Sequence, residues 1–269
     1  MSDYDDYTDF EPEELTEDAK EGEAREEFEK FFEENQNKVF FSRQIEVKNE
    51  DKYFHWVTNR ALRGLREGGV LRSEERKLVT GGSIILIWHR SFRYYRRSAA
   101  QVVRLVEEYA DPNIGAALGL HGESMVLEGF ARSQFLMLGR DAKSFQGREW
   151  KNSEHNLDFI FQKDSRVYGV EVKNTLGYME YGELDAKVRL CEHLKITPVF
   201  VVRMAPRTWV EEVRRRGGFT LILKYQLYPW SHRELAKKVA RELGLPVDAP
   251  LALYDGTMKR FVGWHTRQL

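Results

Sequence analysis

Two carboxylates and a lysine stand in the segment NLDFIFQKDSRVYGVEVKN, residues 156–174, at a spacing that suits metal-assisted chemistry on a phosphate. Leu157, Phe159 and Phe161 alternate with Asp158, Ile160 and Gln162, and Val170 and Val172 alternate with Glu171 and Lys173. Strand side chains point to opposite faces in turn, so Glu171 and Lys173 share one face. A two-residue turn at Asp164-Ser165 pairs Lys163 with Arg166. The same register sets Asp158 opposite Glu171, with Cβ atoms about 5 Å apart. Like charges so placed repel unless a cation lies between them. Oxygen donors of this kind suit Mg²⁺ or Mn²⁺, held by one or two carboxylates together with water and substrate phosphate. Lys173 points into the same place, where it could hold an attacking water or neutralise charge growing on the phosphate. The plain alternative is a surface ion pair of Glu171 and Lys173 beside an unrelated Asp158.

The elements that must position these residues are legible around them. A helix is expected from about Asn113 to Gln134, strands at 135–138, 157–162 and 167–173, and a helix from about Gly182 to Leu194. ITPVFVVRM reads as a buried strand, PRTWVEEVRRRGG as a short helix, FTLILKYQLYP as a strand, and SHRELAKKVARELG as a closing helix with Ser231 as N-cap. Helix, three strands, helix and strand together predict an α/β mixed sheet flanked by helices.

Asp158, followed after twelve residues by Glu171-Val172-Lys173 on the next strand, resembles the PD-(D/E)XK, or restriction-endonuclease-like, nuclease superfamily over about residues 113–225. The resemblance implies a metal held by Asp158, Glu171 and the main-chain carbonyl of Val172. It also implies that Glu123, on the preceding helix, aids the metal or its water, and that Lys173 positions the nucleophile. Lys187 on the following helix stands where related nucleases carry a phosphate-contacting residue. Two departures are visible: Leu157 replaces the proline that gives the family its name, and the Gln-x-x-x-Tyr signature of the exonuclease branch is missing.

The first part of the chain has a different character. Residues 1–34 carry sixteen Asp or Glu against three Lys or Arg, a net charge of −13, and the remainder carries +12. The excess in the body is a plausible footprint for a polyanion. Residues 1–34 read as an acidic tail running into a charged helix from about Thr16 to Asn35, with Phe28, Phe31 and Phe32 as an apolar stripe. The tail either solvates, shields the basic body from nucleic acid, or meets a protein partner. DKYFHWVTNRALRGLREGG then reads as a helix, and VLRSEERKL and SIILIWHR as two strands around Gly81-Gly82. A helix presenting Asn59, Arg60, Arg63 and Arg66, followed by a hairpin carrying Arg72, Arg76 and Lys77, resembles the second half of a winged-helix DNA-binding domain over about residues 38–92. Arg93, Arg96 and Arg97, interleaved with Phe92, Tyr94 and Tyr95, suit phosphate contact and base stacking, or else form a solvated linker helix. The expected division is residues 1–34 as tail and helix, 35–111 as a winged-helix-like α+β module with its linker helix, and 112–269 as the nuclease domain.

Several classes are excluded. No apolar run approaches the roughly 18 residues of a membrane span. The single cysteine, Cys191, rules out an internal disulfide framework and reads as core. P-loop, G-x-G-x-x-G, G-x-S-x-G and H-E-x-x-H motifs are all missing, and His121 and His155 lack metal-ligand spacing. The acidic start is unlike a signal peptide, so the expected location is cytoplasmic. The expectation is a Mg²⁺- or Mn²⁺-dependent DNA endonuclease acting as a homodimer, with the aromatic-rich C-terminal end as either dimer surface or core. The alternative is a non-cleaving DNA-binding or assembly protein that retains the fold.

Overall fold

A computed structural model describes residues 19–269; the acidic tail before them, residues 1–18, lies outside the described residues. The chain divides into two compact units, the first containing 19–115 with Lys237–Pro246, the second Ala116–Ala236 with Val247–Leu269.

The first unit runs α1 (Ala19–Glu34), β1 (Val39–Phe41), α2 (Ser42–Lys48), α3 (His55–Glu67), β2 (Leu71–Lys77), β3 (Ser83–His89) and α4 (Arg96–Tyr109). Its three strands form an antiparallel sheet in the order β1-β3-β2. Gly81 and Gly82, with φ of 99° and 73°, turn the chain between β2 and β3 as expected. Helix α3 buries Val57, Ala61, Leu62 and Leu65 against Ala24, Phe28 and Phe32 of α1 and Ile87 of β3. Residues 19–34, grouped above with the tail, thus contribute to the core of this unit. The short β1 and α2 were not expected, because three and seven residues carry too little periodicity. The segment 237–246 belongs here too: the Gln44 side-chain amide donates to the Leu243 carbonyl at 2.7 Å.

The rest of the chain continues as α5 (Pro112–Arg132), β4 (Leu136–Ala142), β5 (Ser144–Phe145), β6 (Arg148–Glu149), β7 (Leu157–Lys163) and β8 (Arg166–Lys173). It then forms α6 (Tyr181–Leu194), β9 (Thr197–Val202), α7 (Arg207–Arg215), β10 (Phe219–Ile222), β11 (Gln226–Leu227), α8 (Arg233–Leu243), β12 (Val247–Asp248) and α9 (Asp255–Thr266). The second unit is an α/β layer structure around a mixed five-stranded sheet in the order β10-β9-β8-β7-β4. β4, β7 and β8 are antiparallel neighbours, and β8, β9 and β10 are parallel. One face packs Phe159, Phe161, Val170 and Val172 against Met125, Val126 and Phe130 of α5 and Phe261 of α9. The other packs Leu157 and Ile160 against Leu190, Cys191 and Leu194 of α6, so Cys191 is core and burial pushes its thiol up.

Two expectations need correction. The strand read over FTLILKYQLYP is broken: β10 stays in the main sheet, while β11 leaves it to pair with β12, drawn by a hydrogen bond from the Leu227 amide to the Asn174 side-chain oxygen at 2.7 Å. Ser231 does not cap α8; it sits inside a 3₁₀ turn at Trp230–His232, with its hydroxyl 3.0 Å from His232 Nδ1. Of the C-terminal aromatics, Tyr228 and Phe261 are fully buried and Trp264 packs against Phe261, while Trp230 and Tyr254 stay exposed. Among the described residues no helix is long and apolar enough to cross a membrane.

Where β8 passes under α6 the packing leaves no space for a side chain. A Cβ on Gly169 would stand 2.7 Å from Cys191 Sγ, 2.8 Å from Leu157 and 2.9 Å from Ile196. Gly169→Ala is expected to destabilise the protein by about 1–3 kcal/mol through overpacking, read as a lower urea midpoint at unchanged m-value.

Candidate active site

The β7–β8 hairpin sets the site. Its ladder runs from Lys163–Arg166 to Phe159–Val170, the register read from the alternation, and ends one step before Asp158 and Glu171 would face each other. Beyond that last pair, Asp158 Oδ2 accepts the Val172 amide at 2.6 Å, so the carboxylate takes the place of a backbone acceptor. Glu171, on the α6 face of β8, is almost fully enclosed, with 5% of its side chain exposed. It meets Lys187 of α6, itself 6% exposed, in a close ion pair. One turn back on the same helix Glu183 receives both oxygens' worth of contact from Lys173 Nζ, at 3.0 Å each, and lies 3.9 Å from Lys187 Nζ. The result is an alternating line of charge, Glu171, Lys187, Glu183 and Lys173.

Glu123, on α5, is held by Arg140 of β4 at 3.0 Å, and its charge is felt at Asp158. Gly122 lets α5 come this close: a Cβ there would lie 2.6 Å from Cβ of Asn174. Asn174 follows Lys173 directly and fastens three segments, donating to the carbonyls of Leu118 at 2.9 Å and Leu227 at 2.7 Å and accepting the Leu227 amide.

Burial dominates the acidities. It pushes Asp158 up to about 6, with Glu123 adding to the rise and the Val172 amide, Lys187 and Lys173 opposing it. It pushes Glu171 up to about 8, with the charge of Asp158 adding and Lys187 opposing. Both acids therefore resist ionisation in the folded state, and a cation placed between them would relieve that cost. The oxygen donors available are the carboxylates of Asp158, Glu171 and Glu123 and the Val172 carbonyl, all hard ligands of the kind a small divalent ion takes. Among the described residues no group of three or more His, Cys, Asp and Glu side chains is already gathered around a point that could hold a metal ion.

Asp158, Glu171, Lys173, Glu123 and Lys187 thus come together. Lys187, expected as a phosphate-contacting residue, is instead buried and turned inward to Glu171, and the surface Glu171–Lys173 pair does not form because each has a partner on α6. The remaining expected residues lie in the first unit. Arg63, Arg72, Arg76, Lys77, Arg93, Arg96 and Arg97 are exposed, while Asn59, Arg60 and Arg66 are partly covered. Arg60 lies over the Trp56 ring and 3.9 Å from Glu21, and Arg76 is 2.9 Å from Glu74. His155 bonds Ser153 at 3.0 Å. The sequence reading missed Glu183, Arg140 and Asn174. Glu183 had a signal, its i,i+4 spacing to Lys187; Arg140 and Asn174 had none, since their roles come from contacts across the sheet. Comparison with family models, with curated proteins and with solved structures returns no match.

The raised Glu171 sets a pH dependence. Its protonated form suits the fold, so its contribution to stability is whole below about 4.5, its ordinary value, and is lost as pH rises through about 8. Glu171→Gln, which cannot ionise, is expected to lose less Tm than the wild type between about pH 5 and about pH 8 without added metal. The gap should be several degrees, at roughly 2–4 °C per kcal/mol for a chain of this size. Parallel melting curves against pH check it.

Proposed function

We propose that the second unit is a metal-dependent deoxyribonuclease of the PD-(D/E)XK, restriction-endonuclease-like kind, hydrolysing phosphodiester bonds with water. The observation that carries this reading is the meeting of Asp158 and Glu171, two acids of raised pKa, with Lys173 one step along the same strand. Asp158, Glu171 and the Val172 carbonyl would hold Mg²⁺ or Mn²⁺, with Glu123 at its margin. Bound there, the ion supplies Lewis acidity toward the phosphate and lowers the pKa of water. Lys173, once released from Glu183, would direct its ammonium at the attacking water and at charge developing on the phosphate. Lys187 neutralises part of the acid pair and keeps Glu171 oriented. No covalent intermediate is required.

The first unit would bring the chain onto DNA. In support, α3 follows α2 closely and leads straight into the β2–β3 hairpin of an antiparallel sheet, an arrangement similar to a winged helix. Its apolar side faces the core while Arg63 remains exposed. A homodimer would supply two sites for two strands. A second reading, a non-cleaving DNA-binding or assembly protein, is favoured by one feature: Lys187 already gives Glu171 a counter-ion without any metal.

Cleavage assays on duplex, single-stranded, flapped and four-way-junction DNA, with Mg²⁺, Mn²⁺ or EDTA, separate the two. Metal-dependent cutting is expected, reduced at least about 100-fold by Asp158→Ala, Glu171→Ala or Lys173→Ala with the fold intact by circular dichroism. Activity retained in two of the three overturns the site. A Mn²⁺-dependent rise in Tm, lost in Glu171→Ala, is expected on the nuclease reading and not on the non-cleaving one. Charge reversal at Arg60 and Arg63 should weaken DNA binding and flatten its salt dependence; an unchanged slope would take the first unit off the DNA.

A further inference from the structure

The site holds one cation that neither the acid pair nor the candidate nucleophile accounts for. Arg140 sits on β4 directly across from Phe159, the residue after Asp158. Its guanidinium lies 5.8 Å from the centre of the Phe159 ring, reaches Glu123 with Nη2 at 3.0 Å, and points Nε at Asp141 from 3.8 Å. The arginine thus lies over the ring and between two carboxylates, but its tie is loose. Half of its side chain is exposed, and ion pairs at such exposure contribute little to stability, so exchanging the partner costs little.

Charge decides what that partner would be. When ionised, Glu123, Asp141, Asp158, Glu171 and Glu183 face Lys173, Lys187 and Arg140, which leaves the cluster two positive charges short. A divalent cation would cancel this deficit and compete with Arg140 for Glu123, which would leave the guanidinium to take a phosphate oxygen in its place. Of the three cationic side chains, Lys187 is only 6% exposed and Lys173 34%, against 50% for Arg140. Arginine is also the side chain whose planar fork matches two phosphate oxygens at once.

We infer that Arg140 is a substrate-contacting residue of this site, parked on Glu123 when the site is empty and transferred to a phosphodiester oxygen of the bound nucleic acid strand. The inference rests on the nuclease reading above and adds to it the group that grips the substrate phosphate. Arg140 would give up Glu123 as Glu123 turns toward the metal, so one movement would load both partners.

The test is fluorescence anisotropy of labelled DNA, single-stranded and duplex, at several salt concentrations with Mn²⁺. Lys173→Met serves as the cleavage-deficient background, and Arg140→Ala and Arg140→Lys are added to it. Arg140→Ala is expected to weaken binding roughly ten- to hundred-fold and to lower the slope of log affinity against log salt by about one. Arg140→Lys should keep the slope and recover part of the affinity, because it retains charge but loses the fork. The Mn²⁺-induced rise in Tm should persist in Arg140→Ala. If DNA affinity and slope are unchanged while the Mn²⁺ shift disappears, Arg140 only positions Glu123 and the inference is overturned with the nuclease reading intact. If the wild type neither cuts nor binds DNA in any metal, both fall together.

Discussion

Two carboxylates, Glu171 buried and Asp158 partly so, impose the terms on which the second unit is built. Asp158 and Glu171 lie on neighbouring strands, and burial raises both of their pKa values. A lone buried carboxylate is costly and a pair of them more so. The structure meets that cost locally: the Val172 amide for Asp158, the Lys187 ammonium for Glu171, and Glu183 as the next acid in line, shared between Lys187 and Lys173. Helix α6 therefore has two duties on one face. Its first two turns present Lys187 to Glu171 and Glu183 to Lys173, and its last two present Leu190, Cys191 and Leu194 to Leu157 and Ile160. The change from polar to apolar follows the sheet beneath it, where Glu171 gives way to Gly169.

Close approach by the helix on the other face is the second requirement. Glu123 can influence Asp158 only if α5 lies near the end of β8, and the pair Gly122 and Asn174 allows this. Asn174 is buried with its side-chain amide bonded at both ends, so its own polar atoms are satisfied. The same residue draws β11 out of the line of β10, and Gln226 closes the knot with a bond to the Asn174 carbonyl at 3.1 Å. The broken strand is thus a consequence of how the site is fastened. The β7–β8 turn is tied down at the opposite end of the hairpin: buried His265 of α9 meets Tyr168 at 2.5 Å and Asp164 at 2.9 Å.

This arrangement bears on the proposed chemistry through its charge balance. Each cation in the line already has an acidic partner, which keeps a buried ionic cluster tolerable without a ligand. Exchange of partners is then the natural route by which such a cluster would accept a divalent ion and a phosphate. Arg140 and Lys173 stand at its exposed margin, and Lys187 stands deepest.

Much of this was legible in the sequence because strands and turns are local. Period-two alternation with a two-residue turn at Asp164-Ser165 specified the hairpin register down to the neighbourhood of Asp158 and Glu171, and helical periodicity located α3, α5 and α6. The acid pair and its lysine were evident for the same reason. Short elements such as β1 and α2, and the fate of the strand after β10, were not, since their formation depends on partners distant in the chain. What only the tertiary structure decided is which charge meets which: Lys187 with Glu171 rather than water, Lys173 with Glu183, Arg140 with Glu123. Side-chain pairing across helices and strands is selected by burial and three-dimensional proximity, and neither has a fixed spacing along the chain.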